Sequence, residues 1–163
     1  MKNYYKFISI TILGLLIYSC NPGEEAPVDD SNATIWKGAT KTFTKANGAD
    51  PNLPNNQDRI TSNIWITRGN GGSIYNIFSE TTESANSPAG TMWSIGTVDD
   101  INNLTFQDFR SAVNKPREVV GKNLVLHLLE DNIYISVKFT SWSSGNGSGS
   151  GGGGGFSYER STP

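Results

Sequence analysis

From Trp36 onward, the chain is a series of short runs of β-branched and aromatic residues, separated by Gly, Asn, Asp and Pro. Such runs are typical of β-strands, and the separating residues are typical of turns. One short helix is predicted in LTFQDFRSAV, which precedes Pro116. The pattern predicts an all-β fold: an antiparallel β-sandwich or jelly roll with one short helix. The predicted strands are KGATKTFTK, SNIWITR, SIYNIFSE, TMWSIGT, NLVLHLL, NIYISVKFTSW and FSYERS.

A glycine- and serine-rich segment, residues 143–155, separates the last two predicted strands. Antiparallel pairing of these strands would place Glu159 on the same outer face as Lys138. The segment is then the loop of a wide hairpin, and loop closure costs only roughly 0.6 kcal/mol per doubling of length. A phosphate-binding loop would need a following helix and usually a lysine, and the sequence has neither there.

The N-terminus has the pattern of an export signal. Lys2 and Lys6 precede an apolar run, residues 7–18, that is too short to span a bilayer as a stable helix. The run ends in LIYSC, whose Cys20 is the only cysteine of the chain. This ending resembles the signal of bacterial lipoproteins, which implies removal of residues 1–19 and lipidation of Cys20. An ordinary secretory signal and an uncleaved membrane anchor are the alternatives.

Residues 20–34 are acidic, rich in proline and poor in apolar side chains, which is typical of a disordered tether. An acidic stretch after a lipidated cysteine also resembles the tags with which some Gram-negative bacteria export lipoproteins to the outer face. The expected location is therefore the outer membrane or cell surface, with a periplasm-facing position left open. A single β-sandwich domain is predicted for residues 35–163, with the glycine-rich hairpin loop at 143–155.

Three further stretches, YISVKFTSW with GGGGGFSYERST, SNIWITRGNGGSIYN and SPAGTMWSIGT, resemble parts of a β-rich module of bacterial secreted and cell-surface proteins. That resemblance spans most of the predicted domain. It implies a β fold and a surface location, and it implies no specific activity.

The charge balance argues against a strongly basic binding face on this protein. Removal of Lys2 and Lys6 leaves 11 Lys and Arg against 15 Asp and Glu, a net charge of 11 − 15 = −4. Binding to nucleic acid or anionic lipid needs a basic face, so neither partner is expected.

The sequence offers little for catalysis. Its single histidine, His127, alternates with leucines in a predicted strand, and no G-x-S-x-G motif is present. Two facing carboxylates would allow a small glycoside hydrolase, which is the enzymatic alternative. The acids considered for that role are Asp99, Asp100, Asp108, Glu118, Glu130 and Asp131.

Two binding features stand out. Asp50, Asn52, Asn55 and Asp58 supply oxygen ligands in one loop, which suggests a calcium site, and no other cofactor is expected. Alternation places Tyr134 and Trp142 together on the outer face of one strand, where aromatic rings stack against sugars. We therefore expect a non-enzymatic, lipid-anchored surface module for adhesion or carbohydrate binding. The alternative is an accessory subunit that binds an envelope protein.

Overall fold

The computed structural model describes residues 32–83, 86–145 and 152–163, which form two β-sheets and one short α-helix. The all-β, sandwich-like fold predicted from the sequence is confirmed. Single turns of 3-10 helix lie at Pro54–Asn56 and Pro116–Glu118, with a longer stretch at Val98–Asn103. The strands and helix are β1 (Thr34–Trp36), β2 (Lys41–Lys45), β3 (Asp58–Arg59), β4 (Trp65–Arg68), β5 (Ile74–Asn76), β6 (Thr91–Ile95), α1 (Phe109–Val113), β7 (Asn123–Leu128), β8 (Ile133–Trp142) and β9 (Phe156–Arg160).

The large sheet has six strands in the order β2-β9-β8-β7-β6, and β1 pairs with β8 outside this path. The small sheet has the order β3-β4-β5. Strand β8 is the longest and organises the large sheet, because β7 pairs along one of its edges and two strands share the other. On that shared edge β1 runs parallel beside Ile133–Ile135, and β9 runs antiparallel beside Val137–Trp142.

The predicted hairpin between β8 and β9 is confirmed. The two strands pair antiparallel, and Lys138 lies directly opposite Glu159, as expected from the alternation of the two segments. Both side chains are exposed. Residues 146–151 of the connecting loop lie outside the described residues.

A register shift between Phe139 and Ser141 changes the direction of Trp142. A β-bulge adds one residue to a strand, so the side chains that follow it point to the opposite face. Trp142 consequently packs with Phe139 and Phe156 in the main core. The prediction that Trp142 faces away from the Ile–Val–Phe side of β8 is wrong, because strict alternation does not account for the bulge.

Both faces of the large sheet are covered. The main core lies against the small sheet and includes Ile66, Trp93 and Phe139. A second cluster on the opposite face contains Phe106 and Tyr134, together with Val98, Ile101 and Val125. Burial on both faces explains why β7 is a nearly continuous apolar run instead of an alternating one.

Each of the seven predicted strands contains a strand of the structure, and the predicted helix contains α1. The very short β1 and β3 were not predicted. The turns RGNGGS and EDN connect antiparallel neighbours, and Gly72 (φ 70°) and Asn132 (φ 48°) provide their left-handed backbone. Strand β1 begins at Thr34, at the end of the predicted tether; the signal peptide and residues 20–31 lie outside the described residues.

A buried carboxylate joins the two sheets. Asp58 in β3 is 0% exposed and accepts hydrogen bonds from Arg160 Nε (2.6 Å), Tyr158 OH (2.8 Å) and Lys41 Nζ (2.9 Å). Burial by itself would raise the pKa of Asp58. The hydrogen bonds and charge of Arg160, with the hydrogen bonds from Lys41 and Tyr158, outweigh burial and hold that pKa below its usual value. Lys41 of β2 and Arg160 of β9 thereby neutralise the negative charge of Asp58.

Asp58→Asn should lower the free energy of unfolding by about 3–5 kcal/mol, because it leaves Arg160 buried without its counter-charge. The measurement is urea unfolding of the full chain at pH 7. Asp99→Asn is the matched control, because the Asp99–Lys37 ion pair is exposed and should contribute little.

The wild-type chain should lose the contribution of ionised Asp58 to its free energy of unfolding when the pH is lowered. Because the pKa of Asp58 is lower in the folded than in the unfolded chain, its contribution is complete above about pH 4, the ordinary value for aspartate. That contribution then disappears as the pH falls through the folded-state pKa. An Asp58→Asn variant with the acid dependence of the wild type would contradict this assignment.

Candidate functional site

The space between the two sheets carries buried charge at both ends. Strand β2 directs Lys41 toward Asp58 at one end, and Lys45, four residues later, lies at the other end. There Lys45 is the register partner of Phe156, which in turn lies opposite Trp142. We call the region formed by Lys45, Arg68 and Trp142 the cationic end.

Arg68 fastens the base of the β8–β9 loop to the small sheet. It is 1% exposed, and its guanidinium lies 4.0 Å from the centre of the Trp142 ring. Its Nη1 donates to the carbonyl oxygens of Ser143 (3.0 Å) and Gly155 (3.2 Å), and its Nε donates to that of Gly72 (2.9 Å). Burial lowers the pKa of Arg68 to about 10, partly opposed by the charge of Glu83, so the guanidinium is charged at neutral pH.

Lys45 is the unusual group of this region. Its side chain is 1% exposed, and Nζ has no hydrogen-bond partner in the part of the chain that the structure describes. Burial lowers the pKa of Lys45, the charge of Arg68 lowers it further, and the charge of Asp50 acts in the opposite direction. A buried ammonium without a partner is costly, so this position is not explained by stability.

Two cavities meet at Trp142. The first, of about 350 Å³, lies beside Lys45 and is also lined by Asn47, Ser143 and Phe156. The second, of about 370 Å³, lies beside Arg68, and its charged lining is entirely basic: Arg68, Arg110, Lys115 and Arg117. Volumes of this size are at the lower end for small-ligand sites and fit one or two sugar rings.

A further hollow of about 490 Å³ lies elsewhere, beside Trp36 and the outer face of β8 and β9. Its charged groups already have neighbours of opposite sign. Lys37 pairs with Asp99 at 3.0 Å, Lys138 lies opposite Glu159, and Arg160 is held by Asp58. This hollow therefore lacks the unpartnered buried charge that distinguishes the cationic end.

The structure does not bring the two predicted aromatic site residues together. Trp142 packs on the small-sheet side of β8, whereas Tyr134 is 0% exposed on the opposite side, stacked on His127 and in contact with Phe106. One face of Trp142 is occupied by Arg68, so the indole is not an open stacking platform. Its accessible part lines both cavities.

In the predicted calcium loop, Asp50 and Asn52 contact each other, whereas Asp58 is bound to residues outside the loop. Asp58 is committed to Arg160 and Lys41, while Asp50 accepts hydrogen bonds from the backbone and side chain of Asn52. Asn55 is exposed. Across residues 32–83, 86–145 and 152–163, no three or more His, Cys, Asp or Glu side chains form a group able to hold a metal ion.

The remaining candidates lie apart from the cationic end. His127 is buried in β7, and its Nε2 shares a hydrogen bond with Asn132 Oδ1 (3.0 Å). The six acids considered for hydrolysis line neither cavity at Trp142. Several have polar neighbours of their own: Asp99 with Lys37, Asp100 with Thr97, Glu118 with Lys115 and Glu130 with Asn63.

Sequence reasoning missed Lys45 and Arg68. The alternation in KTFTK places Lys45 on the same side as Phe43, which was an available sign of an inward-facing lysine. The alternation in IWITR likewise places Arg68 on the same side as Ile64 and Ile66, whereas its contact with Trp142 could not be predicted because the position of Trp142 depends on the bulge. Searches of the chain against family models, curated proteins and solved structures each returned no match.

Lys45→Met should raise the free energy of unfolding by about 1–2 kcal/mol, because it removes an unpaired buried charge and keeps the apolar stem. The measurement is urea unfolding of the full chain at neutral pH. Lys41→Met, on the same side of the same strand, is the matched control and should be destabilised, since it takes a partner from Asp58. Destabilisation of both variants would show that the Lys45 ammonium has a stabilising partner.

Proposed function

We propose that this protein is a non-enzymatic, lipid-anchored cell-surface module that binds a carbohydrate ligand at the cationic end. One observation carries the proposal: a half-buried tryptophan, Trp142, is shared by two adjoining cavities at one end of the sandwich. The accessible edge of the indole, flanked by hydrogen-bonding groups, suits a sugar, which combines apolar ring surface with polar edges. The side chains of Asn47 and Ser143 supply polar groups beside the ring.

The lining of the cavities supports binding in preference to catalysis. Neither cavity includes an Asp, Glu, His or Cys among its described lining residues. Glycoside hydrolysis needs two carboxylates facing the scissile bond, and the nearest charged groups here are basic. The site therefore offers groups that hold a ligand without groups that would cleave it.

The anchoring part of the proposal rests on the sequence. The apolar run before Cys20 and the acidic stretch after it are the features that favour a lipoprotein exported to the surface. In the described part of the chain, no helix is long and apolar enough to cross a membrane.

A protein partner is the second candidate ligand. Phe78 is 52% exposed and packs against the half-buried Trp65, with 5.2 Å between ring centroids. Arg59 covers the Trp65 ring at 4.0 Å. Exposed aromatic and arginine side chains of this kind are frequent in protein interfaces, so this patch favours an envelope protein if polysaccharides fail to bind.

Trp142→Leu should weaken polysaccharide binding by about tenfold or more, because it removes the ring but keeps apolar volume in the core. The full chain in non-ionic detergent is titrated with a panel of polysaccharides while tryptophan fluorescence is followed. Trp65→Leu is the matched control, since Trp65 is also half-buried beneath an arginine but lines neither cavity.

Equal weakening by both substitutions, or an unchanged affinity in Trp142→Leu, would contradict the assignment of the site. If none of the polysaccharides in the panel binds, the proposal of a carbohydrate ligand is rejected. Unfolding midpoints of both variants show whether a loss of binding reflects a loss of fold.

Cys20→Ser should move the protein from the membrane fraction to the soluble fraction, because the serine hydroxyl does not accept the lipid. Each buried methylene contributes about 0.8 kcal/mol to attachment, so a diacylated or triacylated cysteine would be held firmly. The measurement is labelling with a fatty-acid analogue together with fractionation in the bacterial host. A Cys20→Ser chain that stays labelled and membrane-bound would overturn the lipid anchor.

A further inference from the structure

The cationic end contains two buried positive charges, and neither is hydrogen-bonded to a described carboxylate, although the charges of Glu83 and Asp50 act on Arg68 and Lys45 from nearby. Lys45 and Arg68 are each 1% exposed, and neither forms an ion pair with a carboxylate among the described residues. The hydrogen bonds of Arg68 go to neutral carbonyl groups, and Lys45 Nζ has none. The two cations also repel each other, since the charge of Arg68 disfavours the charged form of Lys45.

At the opposite end of the space between the two sheets, the buried charges are neutralised around Asp58. There Lys41 and Arg160 share the carboxylate of Asp58, with Tyr158 as a further donor. Buried charges are normally paired in this way, because the interior does not solvate them as water does. The cationic end has no carboxylate hydrogen-bonded to Lys45 or Arg68 among the described residues.

The cavity beside Lys45 has room for such an anion. Its wall includes the Lys45 side chain, the amide of Asn47, the hydroxyls of Ser141 and Ser143, and the rings of Trp142 and Phe156. The lysine stem has several rotatable single bonds, and its ammonium has three donors. A small change of rotamer would therefore direct the ammonium toward a carboxylate in the cavity.

The second cavity extends the positive surface beyond Trp142. Arg110, Lys115 and Arg117 are exposed around it, and Arg68 lies at its base. Glu118, which pairs with Lys115 at 3.4 Å, and Glu83 near Arg68 offset part of this charge. A basic surface next to a buried cation favours a ligand with repeated negative charges over a single small anion.

We propose that the ligand is an acidic polysaccharide, and that the carboxylate of one sugar residue binds Lys45 in the cavity beside Trp142. This inference rests on the proposed carbohydrate-binding function and adds the charge of the ligand to it. Arg110 and Arg117 would then attract neighbouring carboxylates of the same polymer. The net negative charge of the whole chain is compatible with this, because binding depends on the local field.

The first experiment compares each acidic polymer with its own neutral form. Alginate, polygalacturonate and hyaluronate are titrated into the full chain in non-ionic detergent, each beside a carboxyl-reduced preparation of the same polymer. At least one acidic form should bind about tenfold or more tightly than its reduced form, the gain expected from a charge-assisted hydrogen bond.

Substitutions then assign that difference to Lys45. Lys45→Met and Lys45→Gln should lose most of the preference for the acidic form and keep only the smaller part that the exposed Arg110 and Arg117 contribute. Lys138→Met is the matched control: it removes one positive charge from the exposed face of β8, lines neither cavity at Trp142 and should keep the preference for the acidic form. Equal binding of acidic and reduced polymers by the wild type would overturn the inference and leave the proposed function in place.

A second experiment tests the anion without a polymer. Thermal unfolding of the full chain is measured in sodium glucuronate and in sodium chloride with glucose at equal concentrations. Glucuronate should raise the Tm of the wild type and not that of Lys45→Met, because a ligand that binds the folded state stabilises it. Equal shifts in both chains would overturn the anion site, whatever the polymers show. If glucuronate raises the Tm of the wild type alone and no polymer binds, the result would support an anion site and reject a polysaccharide as its ligand.

Discussion

The carboxylate of Asp58 is the contact on which the packing of the two sheets depends. It lies in β3, a strand of two residues, and it takes hydrogen bonds from β2 and β9 of the large sheet. Such a short strand has little apolar surface of its own, so the small sheet is positioned largely by this charge and by the isoleucines around it.

The bulge in β8 determines how the cationic end is built. It turns Trp142 inward, where the ring meets the guanidinium of Arg68, and Arg68 in turn holds the carbonyl groups of Ser143 and Gly155. The loop between β8 and β9 therefore begins and ends at fixed points, even though its sequence is mostly glycine and serine. Ser143 and Gly155 also line the cavity beside Lys45, so the same hydrogen bonds position part of its wall.

Most of the fold was predictable because its signals are local. Strand runs, turn residues and the pairing of Lys138 with Glu159 follow from alternation within a few residues. The candidate site was only partly predictable, because its signals are not local. The position of Trp142 depends on one extra residue in β8, and the burial of Tyr134 depends on Phe106 and the 3-10 turns that cover the sheet. Two of the partners of Asp58, Tyr158 and Arg160, lie about a hundred residues away in the sequence. Strands of two or three residues such as β1 and β3 form only because longer neighbours offer an edge.

The parallel pairing of β1 with β8 has a mechanical consequence. The chain enters β1 beside Ile133, and Trp142 lies at the far end of β8, about 30 Å away at roughly 3.3 Å per residue. A force applied between the N-terminus and a ligand at Trp142 would therefore act along β8 and tend to slide β1 past it. In that shear direction the hydrogen bonds between the two strands carry the load together, whereas peeling would break them one at a time. The short strand β1 thus lies at one end of β8, and the cavities at Trp142 lie at the other end.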